Sequence, residues 1–213
     1  MKRILIATPA LDQKVDCYYV HSLCESIKLG LKHNLEINAV FLANESILPM
    51  ARNELFYLAV TQNYDAMVFI DDDEKWQAEH LIQMIQMEQD VITMPVVNKG
   101  DKKIEFNVTA DTTQPAAENG LIPCAKTGTG FLKISRCVFM DLWNSTMPIQ
   151  FRGKQLRLIC EYGAVKGDFV GEDIMLSTKI RELGYQIWIY PDHTVEHIGN
   201  KIYTGTWTAP TSA

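Results

Sequence analysis

Three observations predict an α/β fold with a mostly parallel central sheet flanked by helices. Short apolar runs alternate with longer amphipathic ones through the N-terminal part of the chain. Strand-like and helix-like segments resume after a polar middle stretch. The 213 residues are 47% apolar, enough for one sizeable core.

The elements follow in order. Residues 3–8 read as a strand, 15–31 as a helix, 36–42 as a strand, 46–62 as a helix, 66–70 as a strand and 78–87 as a helix. This βαβαβα pattern gathers ligands at the carboxyl ends of the strands. Residues 90–97 read as the next strand. Periodicity is lost over 98–123 apart from the strand-like 104–108, so a mobile excursion is expected there. Residues 128–135 read as a strand running into a short helix that carries Val138, Phe139, Leu142 and Trp143. A strand is expected over 156–160. The helix over 172–183 places Ile174, Met175, Ile180 and Leu183 near helical spacing and stops at Gly184. Residues 185–190 alternate as a strand. The final stretch, 204–213, is rich in Thr, Ala and Pro and reads as a tail or linker after a single domain over 1–203, with further domains implied beyond it.

Composition narrows the function classes. A net charge of −6 argues against nucleic acid as a partner, because such binding needs a basic surface. No run approaches the length of a membrane span, and the N-terminal apolar run is too short for a secretory signal, so a cytoplasmic location is expected. Five cysteines without C-x-x-C spacing indicate neither a disulfide framework nor a zinc ribbon. The three sequons at Asn44, Asn107 and Asn144 are then chance matches.

The chemistry-bearing signal is acidic. Asp71, Asp72, Asp73 and Glu74 follow directly on the apolar run 66–70, where the chain emerges at the sheet's carboxyl edge. Such concentrated charge suits a hard divalent ion that shares its ligands with substrate phosphates, Mn2+ or Mg2+. Asp71 and Asp73, two apart in an extended segment, point the same way. The plainer alternative is that Asp73 or Glu74 merely starts the next helix. An EF-hand is excluded by Trp76 where glycine is required, and no P-loop is present. Glu172 and Asp173 open the late helix. The helix dipole alone accounts for acids there, but a carboxylate facing the cleft would serve as general base. His193 and His197 follow the last strand and offer imidazole ligands, although most lone histidines are packing or surface residues. Glycines at 128 and 130 permit close backbone approach to a ligand. Arg52 sits on the second helix, where most arginines are solvated.

Taken together, the apolar strand ending in Asp71, Asp72 and Asp73, the turn at Gly128, Thr129 and Gly130, the pair Glu172 and Asp173, and Val195, Glu196 and His197 resemble the GT-A glycosyltransferases, the nucleotide-diphospho-sugar transferase-like fold. The order of the motifs matches too. The likeness runs from Thr8 to His197 and is greatest to small viral members associated with a capsid protein.

The resemblance implies that Thr8, Pro9, Ala10 and Asp12 line a nucleoside pocket with Arg52 nearby. Asp71 and Asp72 would sit near ribose and metal, Asp73 would be the principal metal ligand with His197 as the C-terminal one, and Gly128 and Gly130 would border the sugar. Glu172 or Asp173 would be catalytic. The implied partners are a nucleotide-sugar donor, most simply a UDP-sugar, and a glycan or glycoprotein acceptor, a viral capsid glycan among them. Two readings compete: a nucleotidyltransferase, which predicts a Gly- and Arg-rich loop after the first strand where this chain has Thr8, Pro9 and Ala10, and a noncatalytic sugar- or metal-binding module.

Overall fold

The computed structural model describes residues 1–100 and 103–210. The expected excursion and tail thus lie partly outside the described residues, at 101–102 and 211–213. The first elements are β1 (Lys2–Ala10), α1 (Cys17–Lys32), β2 (Leu35–Ala43), α2 (Leu48–Thr61), β3 (Ala66–Ile70), β4 (Glu74–Lys75), α3 (Ala78–Gln86) and β5 (Val91–Thr93). The middle of the chain forms β6 (Val108–Ala110), β7 (Ile122–Thr127), β8 (Phe131–Ser135), α4 (Arg136–Ser145), β9 (Pro148–Phe151) and β10 (Lys154–Arg157). The rest comprises β11 (Gly163–Val165), β12 (Asp168–Val170), α5 (Glu172–Glu182), β13 (Ile187–Ile189), β14 (Glu196–Ile198) and β15 (Ile202–Tyr203).

Eight strands form the central sheet in the order β2-β1-β3-β8-β5-β13-β7-β6. It is mostly parallel in strand direction, with β8 and β7 reversed. Strand β1 pairs along its whole length with β2 and over Ile4 to Ala7 with β3, and β3 is buried along its whole length. Both therefore read as unbroken apolar runs rather than alternating ones. Their alternate side chains still part to opposite faces. Leu5, Ala7, Met67 and Phe69 pack beneath α2, α4 and α5, against Phe56, Phe139 and Ile180. Ile4, Ile6, Val68 and Ile70 pack beneath α1 and α3, against Leu23, Leu81 and Ile85. Each fully buried Leu, Ile, Val, Met or Phe among them contributes roughly 1.5–3 kcal/mol relative to exposure.

Local signals explain several boundaries. Asp16 caps α1, its carboxylate accepting from Tyr18 N at 2.8 Å. Pro49 stands in the first turn of α2, where its missing N–H costs nothing. Reversed β8 is pinned to α3 by Lys133, buried within the sheet, whose Nζ donates to the carbonyls of Met84, Met87 and Gln89 at 3.2, 2.6 and 3.0 Å. These are the open carbonyls at the helix's end, and burial lowers the Lys133 pKa to about 8.

The strand expected over 104–108 is displaced to β6, Val108–Ala110, and the end of the polar stretch is itself a strand. That strand, β7, lies in the central sheet between β13 and β6. Within the final stretch, Trp207 is buried, and its N–H donates to Thr194 Oγ1 at 3.0 Å. Among the described residues, no helix is long and apolar enough to cross a membrane.

Candidate functional site

Strand β3 delivers Asp71 to the carboxyl edge of the sheet, beside the start of β8. Asp71 N donates to Gly130 O at 3.1 Å. Gly130 leaves room for the acids, because an added Cβ would collide with Glu74 Oε1 and stand 3.4 Å from Asp71 Oδ2. Glu74 is itself buried. Burial first, then Asp71 and Asp73, push its pKa well above the usual carboxylate value.

Arg52 organises the next layer. Helix α2 buries it almost completely, its Nη2 donating to Asp71 Oδ1 at 3.0 Å and its Nη1 to Glu172 Oε1. Burial works against the guanidinium charge, but Asp71 and Glu172 outweigh it and hold the pKa above its ordinary value. One buried cation thus ties the end of β3 to the start of α5. Glu172 is turned inward, while Asp173 remains partly exposed at the helix N-terminus, its Oδ1 accepting from Ile174 N at 2.7 Å. Gly171 makes room for that carboxylate, since a Cβ there would stand 2.8 Å from Asp173 Oδ1.

A small sheet of order β15-β14-β4 brings in the third component. His197 lies opposite Glu74 in its register, and Ile198 N donates to Asp73 O at 2.7 Å. The imidazole of His197 meets Val97 O through Nδ1 at 2.9 Å and Asp73 Oδ1 through Nε2 at 3.1 Å. The other oxygen of Asp73 is bound by Lys99 Nζ. Burial raises the Asp73 pKa, but hydrogen bonds from His197 and Lys99 prevail and lower it. Among the described residues, Asp72 has no such partners. Burial, then Asp73 and Asp71, lift it to about 6.

These residues suit a divalent ion as far as two ligands go. Asp73 and His197 Nε2 converge on one point, and the contact of Nδ1 with Val97 O fixes the ring so that Nε2 could ligate an ion in place of its hydrogen bond to Asp73. Asp71 is engaged with Arg52, and among the described residues no group of three His, Cys, Asp or Glu side chains forms a ready metal cage. A site of one or two protein ligands completed by phosphate oxygens is the usual magnesium arrangement.

A cavity of about 330 Å³ opens between these elements, within the range of small-ligand clefts. Of the residues the sequence singled out, Pro9, Arg52, Asp71, Asp72, Asp73 and His197 line it together. Others lie elsewhere. Thr8 is fully buried, its hydroxyl 2.6 Å from Tyr19 OH, and Ala10 is in the core. Asp12 is exposed beside Lys14. Gly128 packs on Asn107, whose amide nitrogen would stand 3.1 Å from an added Cβ. His193 lies outside this cavity. It stacks on His80 with ring centroids 4.5 Å apart, and burial, then His80, lower its pKa to about 4.

Sequence reasoning missed Leu11, Glu45, Ser46 and Leu48 in the cavity wall, and Lys99 on Asp73. Glu45 and Ser46 lie between β2 and α2, at the same sheet edge as Asp71, and that placement was a usable signal. Lys99 sits in the polar stretch with no pattern to mark it.

No protein-family model matches the chain, and none of the curated proteins does. Among solved structures, A197 from STIV aligns over 100% of both chains with a TM-score of 0.57 at 12% identity. The chain is therefore an α/β protein sharing the fold of A197. The nucleoside-diphosphate-sugar pyrophosphorylase from Vibrio cholerae RC9 matches at a TM-score of 0.46 and 10% identity over 91% of this chain and 94% of that one. A glycosyltransferase involved in the glycosylation of the major capsid of PBCV-1, of the viral kind the sequence resembles, is also among the neighbours, at a TM-score of 0.36 and 10% identity over 68% of this chain and 66% of that one. Similarity as low as in the last two carries no argument about chemistry.

Proposed function

We propose that this chain is a metal-dependent glycosyltransferase that takes a sugar from a nucleotide-diphosphate donor, a UDP-sugar, and passes it to a hydroxyl of a glycan or glycoprotein. The observation that carries the reading is the shared cavity: Asp71, Asp72 and Asp73 at the carboxyl end of β3 face it together with Arg52 and His197. The fold supports it in general terms, because open α/β sheets bind ligands at that edge.

Pro9, Leu11 and Leu48 give the cavity an apolar border suited to the flat face of a base. Asp73 and His197 would hold Mn2+ or Mg2+ beside the donor's two phosphates. Bound there, the ion supplies Lewis-acid stabilisation of the charge growing on the departing nucleoside diphosphate. Lys99 is near enough to Asp73 to shift onto a phosphate oxygen once that carboxylate turns to the metal. Arg52 keeps Asp71 and Glu172 in place, a positioning role. Asp173 is the carboxylate left for the acceptor. With inversion at the anomeric carbon it takes the proton of the attacking hydroxyl, and with retention it orients that hydroxyl.

The test is thermal unfolding with UDP, GDP, CDP and dTDP, each with and without Mn2+. A ligand at a hundredfold excess over its Kd stabilises the folded state by about 2.7 kcal/mol. A metal-dependent shift for one nucleotide, lost in Asp73→Ala, supports the reading. No shift with any nucleotide removes it and leaves a noncatalytic module.

A further inference from the structure

Strands β11 and β12 form a hairpin that the donor site does not use. Its turn residues Lys166 and Gly167 both have positive φ, 53° and 91°, as a tight two-residue hairpin turn requires. The register pairs Gly163 with Val170, Ala164 with Phe169 and Val165 with Asp168, which sorts the side chains onto two faces. Val165, Asp168 and Val170 turn toward α5 and close a cavity of about 550 Å³ with Ile174 and Thr178. The opposite face carries Phe169 and, one step past the Gly163 pair, Tyr162.

Such an outer face is ordinarily polar. Here Phe169 is 80% exposed and Tyr162 53% exposed, with ring centroids 6.2 Å apart and ring planes within 25° of parallel. Their neighbours on that face are Ala164 and Gly171, which carry no charge and leave the rings unobstructed. The base of the hairpin is held firmly. Buried Asn53 accepts from Ile159 N and Cys160 N at 3.1 and 2.8 Å and donates to Cys160 O at 2.9 Å. Lys179 Nζ pairs with Glu161 at 2.6 Å. Asn53 directly follows Arg52, so one turn of α2 anchors both the hairpin and the acidic site. Strand β12 itself runs through Gly171 into Glu172 and Asp173.

We propose that Tyr162 and Phe169 form the acceptor platform, on which a sugar ring stacks so that a hydroxyl beyond it reaches Asp173. The inference rests on the glycosyltransferase reading and adds the acceptor's chemistry to it. The C–H face of a pyranose matches an uncharged aromatic surface, while its hydroxyls stay at the wet rim, where the Tyr162 hydroxyl can also bond. The rings form a short, flat step on the face to which Gly171 belongs, and a Cβ built on Gly171 would stand 2.8 Å from Asp173 Oδ1, so the step leads toward that carboxylate.

The probe is a panel of methyl α- and β-glycosides of common hexoses and pentoses, followed on the full chain by saturation-transfer NMR and titration. At least one glycoside should bind, with Kd raised about tenfold or more in the Tyr162→Ala/Phe169→Ala variant. Tyr162→Phe should keep most of the affinity, and the metal-dependent nucleotide stabilisation should not move in any of these variants. Binding that is unchanged in the double variant, binding by no glycoside of the panel, or aromatic removal that alters only self-association would each overturn the proposal. Failure of the donor reading looks different: the wild type then shows no nucleotide shift while glycoside binding still depends on the two rings.

Discussion

The molecule has two acidic regions built on opposite principles. At the end of β3 four acids crowd one strand edge, and the structure separates them by environment: Glu74 is buried and its pKa raised well above the usual value, that of Asp72 is raised, that of Asp73 is lowered by hydrogen bonds from His197 and Lys99, and Asp71 is tied to Arg52. At the start of α5 there are only two acids, and geometry separates them: Glu172 turns inward to the same Arg52 while Asp173 stays partly exposed. In both regions one carboxylate is tied to Arg52, Asp71 at the end of β3 and Glu172 on α5, while Asp73 and Asp173 are not. Clustered charge alone therefore does not show how the acids differ, and the partner of each acid does.

That contrast can be broken most severely at the residue that joins the regions. Arg52→Ala leaves a buried carboxylate unpaired on α5 and a half-buried one on β3, and should destabilise the fold by about 3–5 kcal/mol, read from the denaturant midpoint. Arg52→Lys should recover part of the loss, because one ammonium cannot serve two carboxylates as a planar fork does. A cost below about 1 kcal/mol for the alanine variant would mean that the two regions are not coupled through it.

The difference between the paired acids is sharpened by Asp173→Asn, expected to lower transfer by about 10²–10⁴-fold with the nucleotide-induced shift in Tm intact. Stability should change by no more than the few tenths of a kcal/mol typical of a helix N-terminal charge. Glu172→Gln should reverse the pattern, with the greater loss in stability.

The two histidines carry the comparison beyond the acids. His193 Nε2 accepts from Gln77 N at 3.3 Å, and burial depresses its pKa from 6.5 to about 4. A base depressed in the folded state binds fewer protons there than in the unfolded chain, so its contribution is complete above about pH 6.5 and is lost as pH falls toward about 4. In urea titrations His193→Gln should flatten that acid-side loss, by on the order of 1 kcal/mol after allowing for partial exposure and solvent screening. An unchanged slope would show that the ring is not held neutral. The smallest effect is expected at Lys99. Removing this competing cation from Asp73 in Lys99→Ala should tighten Mn2+ binding a few-fold without nucleotide, as calorimetry can measure.

Much of the fold was legible in the residues. The run from β1 to α3 was readable because its strands are unbroken apolar segments and its helices amphipathic ones, signals contained within about ten residues. The carboxylates at the end of β3 could be placed at the sheet's functional edge for the same reason. Residues 122–127 were not readable as a central strand, since Pro123 and Lys126 break the apolar pattern and only pairing with β13 and β6 makes a strand of them.

The site divides along the same line. By itself the sequence determined the main strands and helices from β1 to α3, where the acids emerge, and that Glu172 and Asp173 begin a helix. Tertiary structure alone decided that β8 enters the sheet reversed, that Arg52 binds both acidic regions, that Glu172 rather than Asp173 turns inward, and that His197 and Lys99 meet at Asp73. The physical reason is separation along the chain. Periodicity and capping act between near neighbours, whereas Asp73 meets His197 across 124 positions and Arg52 meets Glu172 across 120. No local pattern encodes those meetings, and the packing of the whole sheet and its helices brings them about.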